Sequence, residues 1–229
     1  MITSLKKYET TNSEIQAEIQ QQTTGFAFEK KMLIIESNWE SADVFNKISV
    51  YPFLSNISQI LGDKRQIKVG HRHFDSVRGL RYYTRFPEGI IWNDLHSWGT
   101  QVFYVAAHGG TASLQTTMDI IRKEGLLDAL KGFDAYPNII FLGGCGVFHG
   151  EEGNAFGYDL LGSSGTRAVF GYESEDVNML DSSVIDILFL SRFFGILHEN
   201  PFDRLSDIYD SIMKDFKPAR KLGFTMFLQ

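Results

Sequence analysis

One histidine and the only cysteine of the chain each follow a short apolar run. Residues 102–107 precede His108, and residues 138–142, followed by two glycines, precede Cys145. Each run has the length and composition of a buried β-strand. If the strands are parallel neighbours, the imidazole and the thiol emerge at the same edge of the sheet. An ordinary thiol is mostly protonated at neutral pH, and a nearby imidazole favours the thiolate. The pair therefore predicts Cys145 as a nucleophile and His108 as its base.

Glycines next to both residues support the same chemistry. Attack on a carbonyl creates an oxyanion that needs backbone N–H donors about 3 Å away, and glycine lets the backbone approach that point. We predict the N–H groups of Gly109 and Cys145 as these donors. A lone cysteine is more often a small buried core residue. The two strand-end positions favour a chemical role over packing.

Composition limits the class of protein. With 229 residues, 43% of them hydrophobic, the chain can bury the core of one domain. Twenty-two basic and 28 acidic residues give a net charge of -6, so we expect neither nucleic acid nor a membrane as partner. A single cysteine excludes an internal disulfide and a cysteine-rich zinc site. No signal peptide or long apolar segment is evident, and we expect a cytoplasmic protein.

The chain divides into a polar N-terminal segment and one domain. Residues 1–24 are rich in Gln and Thr, and we interpret them as an arm, a short solvated helix or a disordered segment. Residues 25–229 alternate apolar runs with helix-periodic segments, which predicts an α/β fold with a mostly parallel sheet flanked by helices. We predict strands over 32–35, 66–74, 102–107, 138–142, 167–172 and 223–228. We predict helices over 41–61 with a break or kink at Pro52, 118–130, 154–161, 179–197 and 201–216, and either a hairpin or a short helix within 77–98.

The order of these features resembles the caspase-type cysteine peptidase clan, which includes caspases, metacaspases, gingipains, clostripain, separase and bacterial CHAT domains. The shared pattern is an apolar strand ending in His-Gly, a helix, and an apolar strand ending in Cys-Gly. The strand at 167–172 and the long apolar helix after it are similar to the elements that come after the cysteine strand in CHAT domains. The resemblance covers roughly residues 30–228 and is strongest to bacterial CHAT-type domains.

The resemblance implies a three-layer caspase-like sandwich and a role for each site residue. His108 would be the base, Cys145 the nucleophile, and Gly109 with Cys145 the oxyanion hole. The reaction would be acyl transfer to the thiol followed by hydrolysis. Two glycines stand where the caspase signature has Gln-Ala, and only about 20 residues separate Cys145 from the next strand. We therefore expect a single uncleaved chain, without a processing linker.

The resemblance also implies where the substrate side chain before the scissile bond is bound. In this clan the pocket lies at the ends of the first strand and of the strand after the cysteine strand. The corresponding ends here contain no Arg but carry carboxylates, namely Glu36, Glu173, Glu175 and Asp176. Carboxylates pair with basic side chains, which favours cleavage after Arg or Lys. Alternatively, these acids are solvated loop charges or favour the start of the following helix.

Two further histidines raise the question of a metal. His71 and His73 are two residues apart, so on a strand they share one face, as two zinc ligands can. Because no third ligand converges with them in the sequence, we predict no metal and no cofactor.

The sequence thus predicts a cysteine endopeptidase that acts on a protein or peptide substrate through a Cys-His dyad. A small peptidase without an inhibitory domain needs restraint, so we expect a regulatory partner or ligand to activate it. The alternative is a catalytically inactive caspase-like domain used for interaction or regulation. Bacterial relatives often serve in defence or regulated cell death, and the resemblance implies such a setting.

Overall fold

The structure is a computed structural model that describes residues 30–37, 49–57, 67–85, 89–90, 100–133, 137–177, 179–196 and 205–229. The predicted arm at 1–24 and most of the predicted helix at 41–61 lie outside these residues. In chain order the elements are β1 (Lys30–Glu36), α1 (Tyr51–Ser55), β2 (Ile67–His73), α2 (Val77–Thr84), β3 (Val102–Ala106), β4 (His108–Gly110), β5 (Ser113–Gln115), β6 (Ile120–Arg122), α3 (Lys123–Ala129), β7 (Ile139–Leu142), α4 (Gly150–Ser164), β8 (Ala168–Tyr172), α5 (Met179–Ile196), α6 (Leu205–Asp215), α7 (Lys217–Lys221) and β9 (Phe224–Leu228).

A six-stranded sheet forms the centre of the molecule, with strand order β2-β1-β3-β7-β8-β9. The first five strands are parallel, and β9 pairs antiparallel with β8. Each strand predicted from an apolar run overlaps one of these six. The prediction of an α/β fold with a mostly parallel sheet is therefore confirmed.

Both faces of this sheet are buried. Successive strand residues alternate between two apolar clusters, as Ile34 and Ile35 do in β1 and Tyr104 and Phe103 do in β3. One cluster contains residues of α1, α5, α6 and α7, and the other contains residues of α2, α3 and α4. Helices thus cover the sheet on each side, which is compatible with a three-layer sandwich. Among the described helices, none combines the length and apolar character needed to cross a bilayer.

A second, smaller sheet was not predicted from the sequence. Strands β4, β5 and β6 form an antiparallel meander in which Leu114 pairs with Ile121. The prediction of a helix over 118–130 was wrong at its start, because α3 begins only at Lys123. In β6 the exposed and buried residues alternate, with Ile121 buried between two exposed neighbours. Three residues are too few for this period of two to stand out from a helical pattern.

Two other predictions concern the positions at which helices begin. The break predicted at Pro52 coincides with the start of α1, because residues 49 and 50 are not helical and Pro52 lies in the first turn of α1, where a missing N–H leaves no hydrogen bond unmade. The segment 77–98 begins with the short helix α2, one of the two alternatives predicted for it, and the N-terminal cap of this helix is Ser76. The Ser76 side chain accepts a hydrogen bond from the Gly79 N–H at 3.1 Å. Helix α4 is longer than predicted and ends at Ser164; the capping residue after it, Gly165, has the left-handed conformation with φ of 74°.

A buried carboxyl group connects α5 to the sheet. Asp186 is 2% exposed and accepts hydrogen bonds from the hydroxyls of Tyr104, at 2.5 Å, and Tyr172. Burial raises the pKa of Asp186 to about 7, although the two tyrosine hydrogen bonds act in the opposite direction. The loop after β7 packs against the same group. A methyl group on Gly143 would lie 2.3 Å from the Tyr104 hydroxyl, so this position requires glycine.

The raised pKa of Asp186 predicts that the free energy of unfolding depends on pH. The folded state holds the Asp186 proton up to about pH 7, whereas the unfolded chain releases it near 3.8. The stabilisation that comes from the raised pKa of Asp186 is therefore fully present below the pKa of the unfolded chain and is lost as the pH rises to about 7. The free energy of unfolding of the wild type, minus that of Asp186→Asn, should fall by roughly 1.4 kcal/mol per pH unit over this range and level off above it.

Urea denaturation of both proteins between about pH 4.5 and about pH 8 measures this difference. Subtracting the variant removes the contribution of the other titrating groups. A difference that does not change with pH would show that Asp186 titrates normally in the folded protein.

Candidate active site

His108 and Cys145 come just after the ends of two neighbouring parallel strands. β3 and β7 pair in parallel, with Val105 opposite Leu142. His108 comes two residues after β3 and begins β4, and Cys145 comes three residues after β7 in a turn. The parallel pairing on which the sequence prediction rested is therefore present. The chemical roles of the two side chains stay a prediction.

The backbones beside these two residues are in direct contact. A methyl group on Gly109 would lie 2.0 Å from the carbonyl oxygen of Cys145 and 2.6 Å from its nitrogen. No side chain fits at such distances, so only glycine permits this approach. The contact brings together the two residues whose N–H groups the sequence predicts as oxyanion donors.

The thiol and the imidazole differ in their surroundings. His108 is exposed, whereas Cys145 is half-buried and its thiol donates a hydrogen bond to the Val177 carbonyl at 3.4 Å. Burial raises the pKa of the Cys145 thiol. Hydrogen bonds with the backbone of Val177 and of Cys145 itself act in the opposite direction, and the charge of Asp176 raises the pKa further. In this conformation the thiol is protonated at neutral pH, so nucleophilic attack requires a base.

The segment after β8, residues 173–177, lies against the Cys145 turn. Gly146 has a φ of +61°, and a methyl group there would lie 2.9 Å from the Glu175 Cγ. Glu175 and Asp176 are both exposed. Asp176 also acts electrostatically on Cys145. Two of the acids predicted from the sequence therefore lie beside the Cys145 turn.

Glu173, the first residue of this segment, is held in place by backbone hydrogen bonds. Its N–H donates to the Gly223 carbonyl at 2.9 Å, next to β9. Its own carbonyl oxygen lies 3.1 Å from the Nδ1 atom of His149. His149 is the N-cap residue of α4, four residues after Cys145. This histidine therefore connects the Cys145 turn to the acidic segment.

Glu36, the fourth predicted acid, lies in a different environment. It is 1% exposed, and its carboxylate accepts hydrogen bonds from the Ser49 hydroxyl at 2.5 Å and the Val50 N–H at 3.0 Å. The Nε2 atom of His71 is 2.6 Å from a Glu36 oxygen, and that of His73 is 3.9 Å away. Glu36 thus forms a cluster with the two histidines, and its carboxylate is already hydrogen-bonded within the protein.

The cluster of Glu36, His71 and His73 changes the prediction about a metal, which rested on the lack of a third ligand in the sequence. The sequence offered no third ligand for His71 and His73, but Glu36 on the neighbouring strand is that ligand candidate. The pairing of β1 with β2, with Glu36 opposite His73, creates the convergence. Such pairing is a contact between distant parts of the chain and leaves no signal within either strand.

The chain matches no known family model, and no curated protein is significantly similar to it. The strand order and the helices on both faces define the class of protein: it is an α/β protein with a mixed, mostly parallel six-stranded sheet. The candidate site lies at the carboxyl ends of its parallel strands, where α/β sheets generally bind ligands.

The contact at Gly109 predicts a sensitive position. Gly109→Ala forces the β4 backbone away from Cys145 and should lower the free energy of unfolding by about 1–3 kcal/mol through overpacking. It should also change the alkylation rate of Cys145. The matched control is Gly110→Ala, whose methyl group would meet only the Ser113 hydroxyl, at 3.1 Å.

Thermal or urea denaturation and iodoacetamide labelling measure both effects. Equal stability and equal labelling in the two variants would contradict the close contact between β4 and Cys145.

Proposed function

We propose that this protein is a cysteine endopeptidase in which Cys145 is the nucleophile and His108 the general base. The observation that carries the proposal is the contact between Gly109 and Cys145 at the edge where two parallel strands end. Through it, Gly109, the residue after His108, contacts the backbone of the only cysteine of the chain.

Each residue has a defined role in the proposed reaction. His108 accepts the thiol proton, and the sulfur of Cys145 attacks the carbonyl carbon of the peptide bond. The oxyanion that forms accepts hydrogen bonds from the N–H groups of Gly109 and Cys145. The tetrahedral intermediate collapses to a thioester, and His108 returns the proton to the leaving amine. Water then attacks the thioester, releases the carboxylic acid and restores the thiol.

The proposal includes a caspase-type three-layer fold, closest to bacterial CHAT-type domains. Its support is the chain order of strand β3 followed by His108 and Gly109, helix α3, and strand β7 followed by Cys145 and Gly146, together with helices on both faces of the sheet. We also propose a cytoplasmic location, because a reducing compartment keeps an unpaired nucleophilic thiol free of disulfides. A role in bacterial defence rests on the resemblance alone.

The proposal also includes activation by a partner protein or a ligand. In the conformation described, the Cys145 thiol is tied to Val177, and burial raises its pKa. Asp176, next to Val177, adds to this effect. A ligand that releases the thiol from the Val177 carbonyl and neutralises the charge of Asp176 would relieve these restraints and make the thiolate easier to form. The bound substrate itself is one candidate for such a ligand.

The proposed specificity is cleavage after Arg or Lys. Glu175 and Asp176 are exposed beside the Cys145 turn, where a substrate side chain next to the scissile bond would lie. The backbone N–H of Glu173 donates to the Gly223 carbonyl, next to β9. The Glu36 carboxylate already has three partners, which are Ser49, Val50 and His71. Glu175 and Asp176 are therefore the acids that we propose to select a basic residue.

The dyad is tested with three variants and an active-site-directed alkylating probe. Cys145→Ala should abolish labelling and peptide cleavage. His108→Ala should lower kcat/KM by about 100-fold to 10,000-fold, as expected for loss of a general base. The matched control is Gln115→Ala, which removes the exposed side chain opposite His108 in β5 and should leave kcat/KM within about twofold.

A mixed peptide library and a range of activators make this test decisive. Wild-type protein that takes up no probe and cleaves no peptide under any of these conditions would refute the peptidase proposal. That result would leave the fold as an interaction or regulatory domain.

Specificity is tested by removing the two charges beside the thiol. Glu175→Gln and Asp176→Asn together should lower kcat/KM for peptides cut after Arg or Lys by about 10-fold to 100-fold, the usual strength of a hydrogen bond to a charged group. Glu152→Gln, an exposed charge on α4, is the control and should have little effect. An unchanged preference in the double variant would assign specificity to other residues.

A further inference from the structure

The carboxyl ends of β1 and β2 bring one carboxylate and two imidazoles together. Glu36 is the last residue of β1 and pairs in register with His73, the last residue of β2. His71 lies two residues earlier on the same face of β2. One ligand atom from each of these three residues lies within 4.8 Å of the other two. The imidazole nitrogens of His71 and His73 lie 2.6 and 3.9 Å from the same Glu36 oxygen, and ligands that bind zinc at about 2.0–2.2 Å are roughly 3.3 Å apart in a tetrahedral site.

The surroundings orient two of the three side chains. The Glu36 carboxylate is buried and is fixed by the Ser49 hydroxyl and the Val50 N–H, which come just before α1. The ring of His71 stacks on Tyr51, with centroids 4.5 Å apart and planes at 19°. Hydrogen-bonded and packed neighbours of this kind hold metal ligands in position in known sites.

His73 gives the cluster an open side. Its side chain is 60% exposed, whereas that of His71 is 20% exposed and that of Glu36 only 1%. The two imidazole rings meet edge to face, with centroids 4.6 Å apart. His73 also lines a cleft of about 600 Å³ together with α2 residues such as Arg78 and Tyr82. An ion can therefore reach the cluster from solvent without unfolding of the strands.

The donor atoms define the class of ion. Two imidazole nitrogens and one carboxylate oxygen form a set that zinc uses with water as a fourth ligand. Imidazole suits zinc, copper, iron and nickel, whereas calcium and magnesium prefer oxygen ligands throughout. A hydrogen bond from His71 to Glu36 accounts for one histidine of the cluster. It gives no reason for the second imidazole nitrogen to lie 3.9 Å from the same oxygen.

We propose that Glu36, His71 and His73 form a binding site for one transition-metal dication of the zinc class. The ligands come from two strands that are distant in sequence, so the site is assembled only in the folded protein. Binding therefore stabilises the fold and fastens the edge strand β2 to β1. The proposal does not depend on the proposed peptidase activity.

The test uses the full chain carrying Cys145→Ala, which removes the only thiol as a competing ligand. Zn²⁺ is titrated against a chromophoric chelator, and Co²⁺ serves as a spectroscopic probe. We expect one Zn²⁺ per chain, a visible Co²⁺ absorption band, and a melting temperature that rises with Zn²⁺ concentration. Absence of binding by both ions would refute the site, whatever the outcome of the peptidase assays.

The ligands are identified by single substitutions in the same background. His73→Ala is the main variant because this side chain is 60% exposed, and we expect its loss to leave the fold intact. It should weaken Zn²⁺ binding by about 100-fold or more, since loss of a supporting residue alone costs up to about that much. Glu36→Gln, which keeps the size of the side chain, should also weaken binding and remove the Co²⁺ band.

His108→Ala is the matched control, because it removes a histidine at the same edge of the sheet but outside the cluster. It should bind Zn²⁺ with unchanged affinity. Affinity that is unchanged in His73→Ala and in His71→Ala, or lost only in His108→Ala, would show that the ion binds elsewhere and would overturn the proposal.

Discussion

Parallel pairing of five strands is the constraint on which the rest of the molecule depends. Both faces of such a sheet are covered, so its central strands β3, β7 and β8 are buried at every residue, and their polar chemistry is found beyond their ends. All five strands run in one direction, and their carboxyl ends therefore share one edge. Glu36, His73, His108, Cys145 and the acidic segment after β8 all lie at or just beyond that edge. The proposed peptidase site and the proposed metal site lie near each other because both are located where parallel strands end.

Close backbone approach sets the geometry along this edge. Gly109 lies against Cys145, and Gly143 lies against the Tyr104 hydroxyl, at distances that exclude any side chain. The second contact links the loop after β7 to the buried hydrogen bonds of Asp186 in α5. The turn that carries the thiol is thus confined by β4 on one side and by a satisfied polar group in the core on another. Such confinement limits the positions that the thiol can take.

Sequence reasoning succeeded where the physical signal is local. The apolar runs of the central strands and the long apolar helix α5 are recognisable within single segments, and the neighbouring ends of β3 and β7 were inferred from them. The meander of β4, β5 and β6 was missed because each strand has three residues. Glu36 was assigned to a substrate pocket on the basis of a resemblance. Its contacts with His71 and His73 depend on the pairing of β1 with β2, which no single segment of sequence encodes.

The acidic segment beside the thiol depends on residues that come much later in the chain. The N–H groups of Glu173 and Ser174 donate to the carbonyls of Gly223 and Leu222, directly before β9. During synthesis Cys145 leaves the ribosome before those carbonyls do, and a domain generally folds as a unit. A nascent chain therefore carries the thiol without the anchor of its acidic neighbours. The site takes its final form only when the last strand of the sheet has been made.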